Sequence, residues 1–240
     1  MAANGTNNRS EKIARAIATL GKTRLVASAI ALVGFITLSI ITKADLSFAF
    51  ETDLILWLQA AVTGGWGRLL SLAYYAGDTE SAGVVTAIVL IYLFIKRWWQ
   101  EGLWFAVATA GALIWVGEVF KPLFDKARPP FFDDPSIHGA AFPSGHTTGN
   151  SILYFFIAYL LTCQRPEWGV RSHVITVLWL IVMGFGSLRV GAHWPTDILG
   201  GYCLGVLWLM VCLSFLKASP YLPWVHKLPY MKLPHMKQYK

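Results

Sequence analysis

Charge is what this sequence has least of. Asp, Glu, Lys and Arg make up 14% of its 240 residues, where a soluble domain carries about 25%. So few charges cannot cover a water-soluble fold of this length. With 55% of the chain hydrophobic, the composition points to a bilayer. Cysteine is scarce as well. Cys163, Cys203 and Cys212 lie in or beside apolar segments, at spacings that fit neither a disulfide framework nor a zinc site. They read as small buried hydrophobes. No internal repeat and no low-complexity tract stands out. A single basic patch is also missing. The net charge is +7, but the basic residues sit at the ends of apolar segments. That excludes nucleic acid as the partner and points to orientation in a membrane.

What is present is a series of apolar segments spread evenly along the chain, which predicts an all-α membrane domain. Six spans are expected at Leu25–Thr42, Ala82–Ile95, Leu103–Phe120, Thr147–Cys163, Val174–Leu188 and Ile198–Phe215. Several fall short of the roughly 20 residues a crossing needs and borrow flanking residues such as Trp98, Trp99, Tyr202 and Trp208. Between the first two, Leu54, Ile55, Leu58 and Ala61 recur at helical spacing until Gly64, Gly65 and Gly67 break the pattern. Thr52–Tyr75 therefore reads as a pair of short interfacial helices, with one further span as the alternative. Residues 1–23 form a basic N-terminal tail in which Glu11–Gly21 suits a short amphipathic surface helix. Residues 24–216 form the membrane domain, and 217–240 a second basic tail. The first apolar stretch is too long for the core of a cleaved signal peptide.

Six spans give an orientation. Of the 20 Lys and Arg, six (Lys43, Arg68, Lys121, Lys126, Arg128 and Arg189) fall in one set of alternate segments and the other fourteen in the opposite set. The positive-inside rule puts both termini in the cytoplasm.

The unusual polar residues then gather at the outer ends of the third to sixth spans. Lys121 and Arg128 make an anion site, one a point charge and the other a planar fork. Anchoring of a helix end is an equally good account of either alone, and Glu118, one turn before Lys121, suits an ion pair with it. Pro143-Ser144-Gly145-His146 opens the fourth span. Ser144 is a favoured cap, Gly145 lets a ligand approach the backbone, and the free N–H groups of a helix start receive anions. His193 and Asp197 are four apart around Pro195. An aspartate on one imidazole nitrogen leaves the other nitrogen's lone pair free, and that imidazole can itself attack phosphorus. A metal held by His146, His193 and Asp197 is the competing reading, opposed by the adjacent Lys121 and Arg128. In the phosphoryl-transfer reading His193 attacks, His146 protonates the leaving oxygen, and the cations neutralise the equatorial oxygens.

At these residues the chain resembles the type-2 phosphatidic acid phosphatase family, whose fold is shared with vanadium haloperoxidases. The family pattern is K-x6-R-P, then P-S-G-H, then S-R-x5-H-x3-D, matched here over residues 121–197. The resemblance implies a six-helix membrane bundle and hydrolysis of a lipid phosphate or pyrophosphate at the outer face. The implied substrates are phosphatidic acid, phosphatidylglycerol phosphate or a polyprenyl pyrophosphate. It implies Lys121, Arg128, Ser144 and Gly145 as phosphate ligands, His146 as acid, His193 as nucleophile and Asp197 as its orienting partner, with no metal and no cofactor. It also implies a bacterial plasma membrane location; oligomeric state stays open. A lipid-to-lipid phosphotransferase and a non-catalytic relative remain as alternatives. One position departs from the pattern. Six residues before His193, where the family has arginine, stands Ser187. Arg189 is the nearest substitute and is expected to reach the phosphate if the helix has ended before it, with Gly191 as the break.

Overall fold

The computed structural model describes residues 21–46, 49–131, 139–219, 225 and 227–231. Among them there are helices and turns and no strand. The expected surface helix over Glu11–Gly21, apart from Gly21 itself, and most of both tails lie outside the described residues. The helices are α1 (Lys22–Lys43), α2 (Ala49–Ala61), α3 (Gly64–Ala76), α4 (Thr79–Ile95), α5 (Trp99–Leu113), α6 (Lys121–Phe124), α7 (Gly145–Gln164), α8 (Gly169–Arg189) and α9 (Pro195–Ala218). A π-helical segment, Ile114–Phe120, joins α5 to α6. Pro122 has no N–H to give to a preceding carbonyl, and the helix is wound wide just before it. Such π turns recur at functional sites.

Four helical stretches are long and apolar enough to cross a membrane: Arg24–Lys43, Trp99–Phe124, Pro166–Arg189 and Pro195–Ala218. A fifth is added if α3 and α4, bent by 59° at their junction, count as one broken span. The other expected crossing, α7, is 20 residues long but begins Gly-His-Thr-Thr-Gly-Asn. Polar residues needed at its start dilute its hydropathy. The expected pair of short helices in Thr52–Tyr75 is found as α2 and α3.

Helix α9 is the centre of the bundle and packs against α1, α5 and α7. The core between α5, α7 and α9 is built from Phe105, Ile152, Phe156, Leu209 and Leu213, all buried. Small residues let α9 and α7 approach closely. A Cβ at Gly205 would stand 2.9 Å from Cβ of Ser151, and one at Gly201 would run into the Thr147 side chain. Large apolar side chains on the outer helices face outward, with Ile30 at 69% and Val84 at 60% exposed, as expected of surfaces that meet lipid.

Part of the C-terminal segment is held by the start of α5. Nε2 of Gln100 donates to the carbonyls of Val225 (3.2 Å) and Leu228 (2.9 Å), and Met231 N donates to Glu101 (3.0 Å).

Candidate active site

Two helix starts lie side by side at one end of the bundle. Ser144 N donates to the Asp197 carbonyl (3.0 Å) and Thr147 Oγ1 to that of Ile198 (3.2 Å), locking the beginnings of α7 and α9 together. Ser144 is the N-cap of α7, its hydroxyl accepting from Thr147 N at 3.5 Å. At the head of α9 the Asp197 carboxylate reaches back to accept from Trp194 N at 2.8 Å. Glu51 of α2 accepts from Thr196 N at 2.9 Å. These caps satisfy orphan donors that a helix start leaves open, and they set His146 and His193 facing one another, ring centroids 6.4 Å apart.

His193 is 2% exposed. Its Nε2 is 3.5 Å from Nη1 of Arg128, and its Nδ1 is 3.6 Å from Oδ2 of Asp197. The second distance is an electrostatic contact rather than a formed hydrogen bond, and Nδ1 has no hydrogen-bond partner among the described residues. Burial pushes the imidazole down to about 4. Asp197 opposes that fall, and the Arg128 and His146 charges add to it. The ring is therefore neutral at pH 7, the state in which an imidazole is a nucleophile.

Arg128 is steered by two carbonyls, donating Nε to Gly139 (3.0 Å) and Nη1 to Ala192 (2.8 Å). Burial pushes its pKa down, with Tyr74 and Asp197 opposing, yet a guanidinium keeps its proton at any working pH. Half-buried Lys121 lies within electrostatic reach of Arg128 and Asp197. Glu118 is exposed and makes no ion pair with Lys121 among the described residues.

Fully buried Asp197 is shared three ways. Oδ1 accepts from Lys126 Nζ (2.8 Å), Oδ2 from Trp194 N (2.8 Å), and His193 lies beyond. Lys126 also donates to Thr196 Oγ1 at 2.7 Å. On the other side of the site, Nε2 of His146 is 2.6 Å from Oδ1 of Asp78, and the ring stacks on Tyr74 at 4.5 Å. Asp78 is the N-cap of α4, yet its carboxylate makes no cap bond and turns to the histidine instead. Asn150 holds that turn in place by donating to the carbonyls of Gly77 and His146, both at 2.8 Å.

Arg189 is not brought into this cluster. Helix α8 runs through it, and the left-handed break at Gly191 (φ 76°) comes only afterwards. The condition for its reaching the phosphate is not met. Its Nε donates to the Val62 carbonyl (2.8 Å) and its Nη1 to Ser71 (2.9 Å), tying α8 to the α2–α3 junction. Ser187 is fully buried.

A sequence model of the PAP2 superfamily matches residues 101–221, half of the chain. The chain belongs to the PAP2 superfamily. Its sequence is 25% identical over 164 residues to phosphatidylglycerophosphatase B of Bacillus subtilis, covering 66% of this chain and 75% of that one. It is 26% identical over 127 residues to the undecaprenyl-diphosphatase of Sulfolobus acidocaldarius, covering 50% and 56%. The fold is similar to the crystal structure of a transmembrane PAP2-type phosphatidylglycerolphosphate phosphatase from Bacillus subtilis. That match has a TM-score of 0.65 at 22% identity and covers 77% of this chain and 94% of the other.

Lys121, Arg128, Ser144, Gly145, His146, His193 and Asp197, expected from the sequence, all lie at one end of the bundle and within the matched residues 101–221. Sequence reasoning missed Lys126, Asp78, Asn150 and Glu51. Lys126 lies inside the Lys121–Arg128 interval, where its spacing carries no signal. Asp78 had only its place before an apolar helix, which signals an ordinary cap.

Proposed function

We propose that this PAP2 protein is a membrane phosphatase that hydrolyses a lipid phosphate or lipid pyrophosphate monoester through a phosphohistidine on His193. The carrying observation is a buried His193 whose Nε2 lies 3.5 Å from the Arg128 guanidinium and whose ring stands 6.4 Å from that of His146.

Nε2 attacks phosphorus, forming the N–P bond as the ester P–O bond breaks. His146 gives its proton to the departing oxygen. Arg128, Lys121 and the N–H groups at the start of α7 hold the equatorial oxygens. As the ring takes on the phosphoryl group it becomes cationic. Asp197, 3.6 Å from Nδ1, then has a charged donor to close upon. Water next attacks phosphorus, His146 takes back a proton, the N–P bond breaks and phosphate leaves.

Two observations favour a lipid as substrate. A cavity of about 370 Å³ runs from His146 between α4, α5 and α7, lined by apolar and small residues such as Gly83, Ala106, Ala110, Leu113 and Leu153. That lining suits an acyl or prenyl chain. The relatives named above are phosphatases of lipid phosphates and diphosphates. We read six crossings, with α4 and α7 as spans, both termini inside and the site outside, from the distribution of Lys and Arg.

The test is phosphate release by purified protein from phosphatidic acid, phosphatidylglycerol phosphate and a polyprenyl pyrophosphate, with EDTA throughout. Release that His193→Ala abolishes, together with loss of the trapped phosphoenzyme, is expected. A phosphoenzyme surviving in His193→Ala would overturn the nucleophile. Loss of all activity in EDTA, restored by zinc or magnesium, would overturn the two-histidine mechanism.

A further inference from the structure

Arg189, turned away from the histidines, lines a second cavity. It has a volume of about 510 Å³, opens to the surface, and is bounded by Gly64, Arg68, Ser71, Leu72, Tyr75 and Arg189. Arg68, Ser71, Leu72 and Tyr75 recur at the i, i+3, i+4, i+7 spacing of one helix face. The cavity is therefore a groove between one stripe of α3 and the last turn of α8. Gly67 lets the guanidinium lie close, since a Cβ there would stand 2.7 Å from Nη2 of Arg189. Two guanidinium groups face the groove, and no carboxylate is among its lining residues. Arg68 is exposed and has no hydrogen-bond or ion-pair partner among the described residues.

Beside these cations α3 exposes apolar side chains: Trp66 at 75%, Leu69 at 48% and Leu72 at 65%. Cations and a serine hydroxyl next to outward apolar groups match a phosphate whose attached chains lie in hydrocarbon. Helix α3 also carries Tyr74, which is buried and stacks on His146. The groove and the histidine cluster therefore share one helix while using different residues.

We propose that Arg68 and Arg189 form a second anion site, separate from the histidine cluster, that takes the phosphodiester headgroup of an anionic membrane phospholipid. The proposal depends on α3 lying at the membrane surface and not on the catalytic assignments. Free phosphate shares the anion's chemistry, so the experiment separates the two.

The full chain in zwitterionic micelles is titrated with dansyl-labelled phosphatidylglycerol, and energy transfer from tryptophan is read. Saturable binding is expected, weakened roughly tenfold by Arg68→Gln, the loss of about one charged hydrogen bond. Lys121→Ala should leave it unchanged, and neither dansyl-phosphatidylcholine nor millimolar inorganic phosphate should compete. Arg68 is exposed, so Arg68→Gln should fold. Its phosphate release from a soluble aryl phosphate should match the parent, which checks the histidine site separately. Binding insensitive to Arg68→Gln and Arg189→Gln but lost in Lys121→Ala would mean that the lipid occupies the histidine site, and would overturn the proposal. Full displacement by inorganic phosphate, or equal binding of the phosphatidylcholine probe, would overturn the lipid assignment.

Discussion

Replacing Lys126 with methionine tests whether the buried aspartate is held from behind. Asp197 is fully buried, and Lys126, 19% exposed, bonds one of its oxygens at 2.8 Å. The other oxygen has Trp194 N at 2.8 Å and His193 at 3.6 Å. Methionine keeps the length of the lysine stem and removes only the charge. Breaking a buried pair from one side costs about 3–5 kcal/mol, because the remaining charge is left uncompensated. The partial exposure of Lys126 admits water and argues for the lower end. In a chain of this size each kcal/mol moves the melting temperature by roughly 2–4 °C, so Lys126→Met should melt on the order of 6–12 °C lower in detergent. Its turnover should fall at least about tenfold, because an uncompensated Asp197 takes up a proton and no longer holds the His193 tautomer. Adding Asp197→Asn removes the buried charge itself. The double variant should therefore melt higher than Lys126→Met alone while staying inactive. A Lys126→Met protein with parental melting and turnover, or a double variant whose loss equals the sum of the singles, would refute this account of the site.

Four further outcomes are expected. Asp78→Asn should slow phosphoenzyme formation from lipid substrates by about tenfold and leave its formation from an activated aryl phosphate nearly unaffected, since only the first leaving group needs the proton of His146; the ratio of the two phosphorylation rates is the measurement. His193 sits at about 4 when folded and at 6.5 when exposed, so the unfolded chain binds the proton more readily. Its contribution to stability is complete above about pH 6.5 and is lost as pH falls toward 4, by about 3 kcal/mol in all. Melting followed against pH in the parent and in His193→Gln should show that component only in the parent, and the nucleophile's acid limb in kcat/KM should appear only near pH 4. Arg189→Ala should lower the melting temperature through lost bonds to Val62 and Ser71 and leave turnover within a few-fold, against the 10²–10³ expected for a phosphate ligand. Ser187→Arg should destabilise, because residue 187 is fully buried.

Much of the site was legible in the sequence because it is assembled from short local motifs. A helix start declares itself through Ser144 or Pro195, and within one turn the spacing from His193 to Asp197 determines which side chains can meet. The helices were legible for a similar reason: lipid-facing segments are apolar along their whole length. The partners of the catalytic groups were not. Lys126 meets Asp197 across 71 positions, Asp78 meets His146 across 68, and Glu51 meets Thr196 across 145. Each is a common residue type with a commonplace local reading. Only the tertiary fold gives each a role, by bringing the loop after α6 to Asp197, the α3–α4 junction to His146, and α2 to Thr196. Arg189 shows the limit most clearly. Counted along the chain, it stands two positions from where the family has its arginine. Two positions on an unbroken helix are about 200° of rotation, and α8 does not break until Gly191. Composition and local motif determined the all-helical class, the two histidines and their cations. Tertiary structure decided where α8 ended, and so which way the guanidinium of Arg189 faced.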